Sequence, residues 1–382
     1  MTKLEKLIQE LCPNGVEHKP LNEVSEMKRG TSITKKDIVE GEIPVVSGGR
    51  EPAYYCDKYN REGETITVAG SGAGAGYVQY WTKPIFVCDA FSIQGNPGIQ
   101  TKYLYYFLTN IQDYIYSTKK GGGVPHVHIS SIENVSVPVP PLPVQREIVR
   151  ILDNFTELTA ELTAELTARK QQYAYYRDKL LADSKTVPQI KLSELCDIGD
   201  GLHGTPIYDD NGQYYFINGN NLSNGTITLS PQTKRIARDE YEKIKLPFSD
   251  TVLLSINGTI GNVAVYGGEN IALGKSVAYF NIRSENLFCK YLFYVLQSSR
   301  SVEYFRKNST GTTIKNLGLS TLRDYQIPLP SLEIQKRIVE VLDNFDAICT
   351  DLNIGLPAEI EARQKQYEYY RDKLLTFREI SN

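Results

Sequence analysis

At 382 residues, 41% apolar and 23% charged, the chain is too long for one ordinary core and has the composition of a soluble globular protein of two or three domains. It has no run of about 18 apolar residues, no apolar stretch after Met1-Thr2-Lys3-Leu4-Glu5-Lys6, and no C-x-x-C pair among its six scattered cysteines; no membrane span or secretory leader is expected, and the cysteines read as the reduced thiols of a cytoplasmic protein rather than as a disulfide framework or a zinc site. The net charge of −3 comes from residues 331–382, which hold ten acidic and seven basic groups, so a polyanion would have to be held by local basic loops and not by an overall field.

The first segment, 1–141, reads as many short strands punctuated by Gly, Pro and Asn, followed by a helix at Lys102–Leu108. Within it, Gly70-Ser71-Gly72-Ala73-Gly74-Ala75-Gly76 mimics a dinucleotide fingerprint. That fingerprint requires a helix next, to hold the pyrophosphate at its N-terminus. Tyr77-Val78-Gln79-Tyr80-Trp81 reads as a strand, so a tight turn is the better interpretation.

From residue 142 the pattern changes. Ile148, Ile151, Leu152, Phe155, Leu158, Leu162 and Leu166 recur at 3- and 4-residue spacing, which predicts a long helix over 142–182. Pro143 falls where a first-turn proline costs no hydrogen bond. The centre is a tandem of Glu-Leu-Thr-Ala at 157–160, 161–164 and 165–168. A strict period of four drifts around a 3.6-residue helix, so the leucines form a slanted stripe and not a heptad seam. About 39 helical residues would span roughly 58 Å. Residues 183–330 return to short punctuated strands and a helix, and 331–382 read as a second helical segment. Asn353-Ile354-Gly355-Leu356-Pro357 should kink or break it near Pro357.

Self-comparison decides the architecture. QQYAYYRDKLL (171–181) matches KQYEYYRDKLL (365–375), and PPLPVQREIVRILDNF (140–155) matches PSLEIQKRIVEVLDNF (330–345). The offsets are 194 and 190, so the second copy holds four extra residues between the blocks. The segments before the helices are divergent repeats: KYLYYFL (102–108) parallels KYLFYVL (290–296), and Glu64–Val68 parallels Asp250–Leu254. The expected fold is therefore α+β, with two β-rich domains (1–141 and 183–330) separated by a pair of long antiparallel helices (142–182 and 331–382) about an approximate two-fold axis. Near-identical helices suit two copies of one partner protein, with Tyr173, Tyr176, Arg177, Tyr367, Tyr370 and Arg371 as candidate contacts. Unlike domains suit unlike targets. Gene duplication with the helices kept only for packing explains the same pattern and stands beside this reading.

Basic loops rich in hydroxyls and amides recur at matching places in both domains. In the first they supply Lys28, Arg29, Thr31, Ser47, Arg50, Ser71, Lys119, Lys120, His126 and His128. In the second they supply Lys234, Arg235, Asn257, Thr259, Arg306, Lys307, Thr312, Thr313 and Lys315. Lys and Arg neutralise phosphates, while Asn, Ser and Thr hydrogen-bond base edges or backbone, so these are candidate DNA contacts. Taken singly, each loop is better explained as solvated surface, and only its recurrence at the matching place in both domains makes it a candidate. His126 and His128 alternate onto one face but have no neighbouring acidic or cysteine residue to complete a metal site. The sequence contains no Walker A segment, G-x-S-x-G, H-E-x-x-H or Asn/Asp-Pro-Pro-aromatic segment, so no catalytic or metal-binding residue is assigned.

In these features the chain resembles the specificity subunits of type I restriction–modification systems. The resemblance rests on the domain–helix–domain–helix order, Gln145–Phe155 with Gln335–Phe345, the YYRDKLL ends, the Glu-Leu-Thr-Ala tandem, the turn 255–261 and Ser309–Ile314. The first domain departs from the pattern, with Ser71-Gly72-Ala73-Gly74 and Gly123-Val124-Pro125-His126 in those places. The resemblance covers nearly the whole chain. It implies a non-catalytic subunit reading a bipartite asymmetric sequence in double-stranded DNA, each domain taking one half. It also implies that the helices set the spacing and bind two methyltransferase subunits, which restriction/translocase subunits join. S-adenosylmethionine, ATP and Mg would belong to those partners, none to this chain, and the methyl acceptor would be an adenine extruded into the partner's pocket. A stand-alone DNA-modifying enzyme and a coiled-coil adaptor that never reads DNA are the alternatives.

Overall fold

The computed structural model describes residues 2–33, 39–182, 187–223, 225–246, 248, 250–350 and 354–380. They form two compact units, Met1–Leu162 with Ile360–Asn382, and Thr163–Glu359. In chain order the first carries α1 (Lys3–Leu11), β1 (Glu17–Pro20), α2 (Leu21–Val24), β2 (Ser25–Arg29), β3 (Ile43–Val46), β4 (Tyr54–Cys56), β5 (Thr65–Ala69), β6 (Val78–Trp81), β7 (Phe86–Val87), β8 (Ala90–Gly95), α3 (Thr101–Asn110), α4 (Gln112–Ser117) and β9 (Ser136–Val139). Helix α5 (Leu142–Leu180) crosses the unit boundary, which falls inside the Glu-Leu-Thr-Ala tandem. Next come β10 (Gln189–Lys191), α6 (Leu192–Leu195), β11 (Cys196–Asp200), β12 (Tyr214–Ile217), β13 (Leu222–Ser223), β14 (Thr226–Ile227), β15 (Arg235–Ile236), α7 (Arg238–Ile244), β16 (Thr251–Ser255), β17 (Val263–Val265), β18 (Ile271–Leu273), β19 (Val277–Ile282), α8 (Cys289–Gln297), α9 (Ser299–Asn308), α10 (Leu319–Asp324), β20 (Gln326–Pro328) and α11 (Leu332–Thr350). The last helix, α12 (Leu356–Leu375), lies mostly in the first unit.

The two units repeat one α+β plan. Each has a four-stranded antiparallel sheet, β2-β8-β5-β6 in the first and β11-β19-β16-β17 in the second. Each adds a three-stranded sheet with one parallel pair, β4-β3-β7 and β15-β12-β18, and a two-stranded one, β1-β9 and β10-β20. The second unit also holds the short β13-β14 pair. The strands recognised as repeats, β5 and β16, are interior strands of these sheets, and all five residues of each are buried. In β16, Val252 and Leu254 face a core with Tyr291, Leu292 and Val295 of α8, whereas Leu253 joins Ile217, Ile271 and Leu273 on the opposite face. A strand packed on both faces shows no apolar–polar alternation.

The shared residues of the repeated block tie helix to head. Gln145 has no exposed surface; it accepts from Gln100 N at 2.8 Å and donates to Gly98 O at 3.1 Å and Pro140 O at 2.8 Å. Gln335 repeats this with Phe288 N at 2.9 Å and with Asn286 O and Pro330 O at 2.8 Å each. Asp153 receives Lys102 at 2.8 Å and the Tyr106 hydroxyl at 2.5 Å, and Asp343 receives Lys290 at 2.6 Å and Tyr294 at 2.5 Å. Burial, then the bond to each aspartate, pushes both tyrosine hydroxyls far above their ordinary range, so they stay protonated donors.

The repeats exchange partners. In the first unit Phe155 of α5 stacks on Tyr370 of α12, with centroids 5.4 Å apart. In the second Phe345 of α11 stacks on Tyr176 of α5 at 5.7 Å. Within each unit the helical segments run antiparallel: Ile151 and Leu374 share one apolar cavity with Phe155 and Tyr370, and Leu181 clusters with Ile338, Val339 and Leu342. Helix α11 ends at Thr350 and α12 restarts at Leu356, with Pro357 in its first turn, so the expected break occurs; Asn353 lies outside the described residues. The chain's end returns to its beginning, where Val16 N donates to Arg378 O at 2.8 Å. Gly15 permits this approach, because its φ is +101° and a Cβ there would stand 2.3 Å from Arg378 O.

Glu147 on α5 has a buried side chain, held by Arg150 at 2.7 Å and Lys3 at 2.8 Å. The Arg150 hydrogen bond, then that of Lys3, outweighs burial and holds its carboxyl down at about 2, against 4.5 for a free glutamate. A folded-state value below the unfolded one gives stability that is complete above the unfolded value and lost as pH falls through the folded one. Urea unfolding of Glu147→Gln should therefore lose less stability than the parent between pH 5 and pH 2.

Candidate nucleic-acid interface

In the first unit, loops far apart in sequence converge beyond the ends of β2, β5 and β8. Gly30 N donates to Ala90 O at 2.8 Å and Thr31 N to Val87 O at 2.9 Å. Val127 N bonds Gly70 O at 3.0 Å, and Gly72 N bonds Pro125 O at 3.0 Å. Gly48 packs so closely on Ser71 that a Cβ would sit 2.2 Å from its carbonyl oxygen. The result is a cleft of about 310 Å³ whose walls include Arg29, Asp89, His126 and His128. The two imidazoles lie parallel, 5.9 Å apart, as the alternation predicts. Ser71 hydrogen-bonds the Asp89 carboxylate, and Arg61 donates to Arg29 O at 2.8 Å, pinning the end of β2. Burial lowers the pKa of Arg61, but it remains a cation.

The second unit builds its cleft at the equivalent place. Asn257 bridges Asn316 as Ser71 bridges His126, and Thr310 bridges Asn316 as Lys120 bridges His126. The tight loops that follow use Gly121 (φ +113°) and Gly311 (φ +92°), where a Cβ would meet Val124 O at 2.7 Å and Ile314 O at 2.1 Å. This cleft, about 500 Å³, is lined by Asp200, His203, Asn257, Lys275 and Asn316. His203 Nε2 lies 2.8 Å from Asp200, and Asn257 Nδ2 donates to Asn316 Oδ1 at 3.3 Å.

The candidates read from sequence sort accordingly. Arg29, His126 and His128 line the first cleft, Ser71 and Lys120 bridge His126, Thr31 follows on the loop that bonds Val87, and Ser47 precedes the Gly48 that packs on Ser71. Arg50 lies over Tyr77 and Lys119 over Tyr116, with the cations 4.9 Å and 4.3 Å from the ring centroids. Lys28 stands back on β2, paired with Glu26 at 2.7 Å. In the second unit Asn257, Thr259, Thr312, Thr313 and Lys315 share a loop cluster, joined by Gly258 N to Lys315 O at 2.9 Å. Arg306 and Lys307 end α9 just before it, with Lys307 paired to Glu303 at 2.7 Å. Arg235 begins β15 of the three-stranded sheet, where it donates to Tyr215 Oη at 3.0 Å, Lys234 immediately precedes that strand, and neither lines this cleft. The Gly70–Gly76 turn runs into strand β6, so no helix N-terminus follows it. Sequence reading passed over Asp200, His203, Lys275 and Asn316, whose only signal is their match to cleft positions of the first unit.

The helix residues sort differently. Tyr173 and Tyr367 pack on the two main cores, and Arg177 and Arg371 lie over their rings at 5.6 Å with side chains only 13% and 19% exposed. Tyr176 and Tyr370 stack on Phe345 and Phe155 while keeping partial exposure. The outward residues of the motif are Tyr175 and Tyr369, 60% and 62% exposed, each with a lysine (Lys179, Lys373) over its ring. Among the described residues no group of three or more His, Cys, Asp or Glu could hold a metal, and no helix is long and apolar enough to cross a membrane.

Residues 13–169 and 185–362 match the family model described as type I restriction modification DNA specificity domain. A Haemophilus influenzae protein named as a type I restriction enzyme specificity subunit is 31% identical over 400 residues, covering 98% of each chain. The specificity subunit of the Escherichia coli restriction enzymes EcoR124I and EcoR124II is 30% identical over 409 residues, covering 99% of this chain and 97% of that one. Among solved structures, the S subunit from M. genitalium aligns at a TM-score of 0.59 with 17% identity, covering 94% of this chain and 96% of that one. A chain from a study of type I restriction–modification complex assembly aligns at 0.63 with 20% identity, covering 95% and 98%. These two structures establish the shared fold. With a family model that matches twice and spans most of its length, the chain belongs to the family of type I restriction–modification specificity subunits.

Proposed function

We propose that each unit reads one half of a bipartite, asymmetric sequence in double-stranded DNA, and that the chain serves a type I restriction–modification complex without a catalytic site of its own. The observation that carries this reading is the pair of clefts, built on one scaffold at equivalent strand ends but lined by different side chains. A shared scaffold docks equivalently on a duplex, and different linings read different bases. The exchanged Phe–Tyr contacts and the duplicated outward Tyr175 and Tyr369 support two equivalent sites for one methyltransferase subunit, with restriction/translocase subunits added to that core. S-adenosylmethionine, ATP and Mg then belong to the partners, with adenine as the methyl acceptor.

The test is methylation mapping in cells that hold the whole complex. His126→Ala should relax one half-site only, and Asn316→Ala the other only. A single substitution that degraded both halves equally would contradict the assignment of one cleft to each half.

A further inference from the structure

The two clefts can be superposed residue by residue from strand register. In the first unit Arg29 pairs with Phe91, which pairs with Val68. In the second Asp200 pairs with Ala278, which pairs with Leu254. Arg29 and Asp200 are therefore the same position, the last residue of the edge strand, and both line their clefts. One cleft has a guanidinium where the other has a carboxylate.

Resting on the DNA-reading function proposed above, we infer that each cleft reads one G·C pair in the major groove, Arg29 from the acceptor edge of its guanine and Asp200 from the amino group of its cytosine. A carboxylate on a DNA-facing wall is repelled by phosphate and accepts hydrogen bonds only. The donors that the major groove offers are exocyclic amino groups, and carboxylates pair with that of cytosine. His203, 2.8 Å away, holds Asp200 in place as a positioning residue. Lys275 on the same wall is a compact charge suited to the backbone and offsets the carboxylate. The guanidinium at the equivalent position presents a fork that matches guanine O6 and N7. The acid in its cleft, Asp89, is engaged by Ser71, and among the described residues Arg29 has no ion pair. The asparagine pair of the second cleft, Asn257 and Asn316, suits an adjacent adenine.

Selection of bound duplexes from a randomised pool by the intact complex tests this. Wild-type complex should select a split sequence with a G·C pair in each half. Arg29→Ala should lose preference at one such pair by on the order of 10- to 100-fold, leaving the other half unchanged. Arg29→Lys should weaken the preference less than Arg29→Ala, because an ammonium still donates to guanine O6 and N7 but without the fixed fork. Asp200→Asn, which keeps shape and fold, should move the preferred base in the other half from cytosine towards adenine. The inference is overturned by a half-site without a G·C pair, by losses spread evenly over all positions as for a phosphate contact, or by either variant leaving its half intact. Enrichment of no split sequence by the wild-type complex would instead sink the DNA-reading function itself. Circular dichroism of each variant separates lost reading from lost fold.

Discussion

Replacing Gln335 by leucine is expected to cost the protein about 3–5 kcal/mol of stability, enough to threaten the second unit. The side chain is fully buried and satisfies one backbone donor and two backbone acceptors at the junction of β19, α8 and α11. Leucine matches its size but leaves Phe288 N, Asn286 O and Pro330 O without their partner. Each stranded buried group costs about 1–3 kcal/mol, reduced where the backbone relaxes. A domain holds only about 5–15 kcal/mol in total. Gln335→Glu should be no milder at neutral pH, since a carboxylate still accepts from Phe288 N but repels both carbonyl oxygens. Urea unfolding followed by circular dichroism checks both variants. A leucine variant within about 0.5 kcal/mol of the parent would show that the junction does not depend on this amide. Gln145→Leu should repeat the effect in the first unit, because its three bonds have the same geometry.

Removing one Glu-Leu-Thr-Ala unit should abolish modification at the present target and transfer it to sites with the same half-sequences at a different separation. Helix α5 is continuous from Leu142 to Leu180, and the boundary between the units falls inside the tandem. Four residues remove about 6 Å of helix and add about 40° of rotation, from 3.6 residues per turn. The clefts, the buried glutamines and the half-buried aspartate anchors lie outside the tandem, so neither half-sequence should change. Methylome sequencing of cells carrying the shortened chain and its partners reads the result directly. Altered half-sequences would break the assignment of reading to the heads, and an unchanged separation would break the assignment of spacing to α5. Stability should move little, since Glu157, Glu161, Ala160, Ala164 and Thr163 are on the exposed part of the helix.

Much of this organisation is legible in the chain itself. The matching blocks at 140–155 and 330–345, and the shared YYRDKLL, establish a duplicated helix with a divergent domain before each copy. Periodicity marks α5 because its apolar residues recur at helical spacing. The Asn353–Pro357 break follows from proline's missing donor. The loops at 28–31, 47–50, 71 and 119–128 are also recognisable as polar and basic.

Only the tertiary structure decided which of those residues meet. The repeated segments 172–181 and 366–375 contain three tyrosines each, and which ones face inward depends on the phase of the helix against its neighbours. Tyr173 and Tyr367 turned out to face the cores, Tyr175 and Tyr369 the solvent. Gln145 and Gln335 are ordinary polar residues in a pattern, and become anchors only where three backbone groups converge on them. Asp200 belongs to the second cleft because the register of β11 on β19 places it there, 75 residues before Lys275. Helical spacing is local and survives in one dimension. A cleft gathers strand ends and loops from distant parts of the chain, and their juxtaposition is set by sheet register, which no short window of sequence contains.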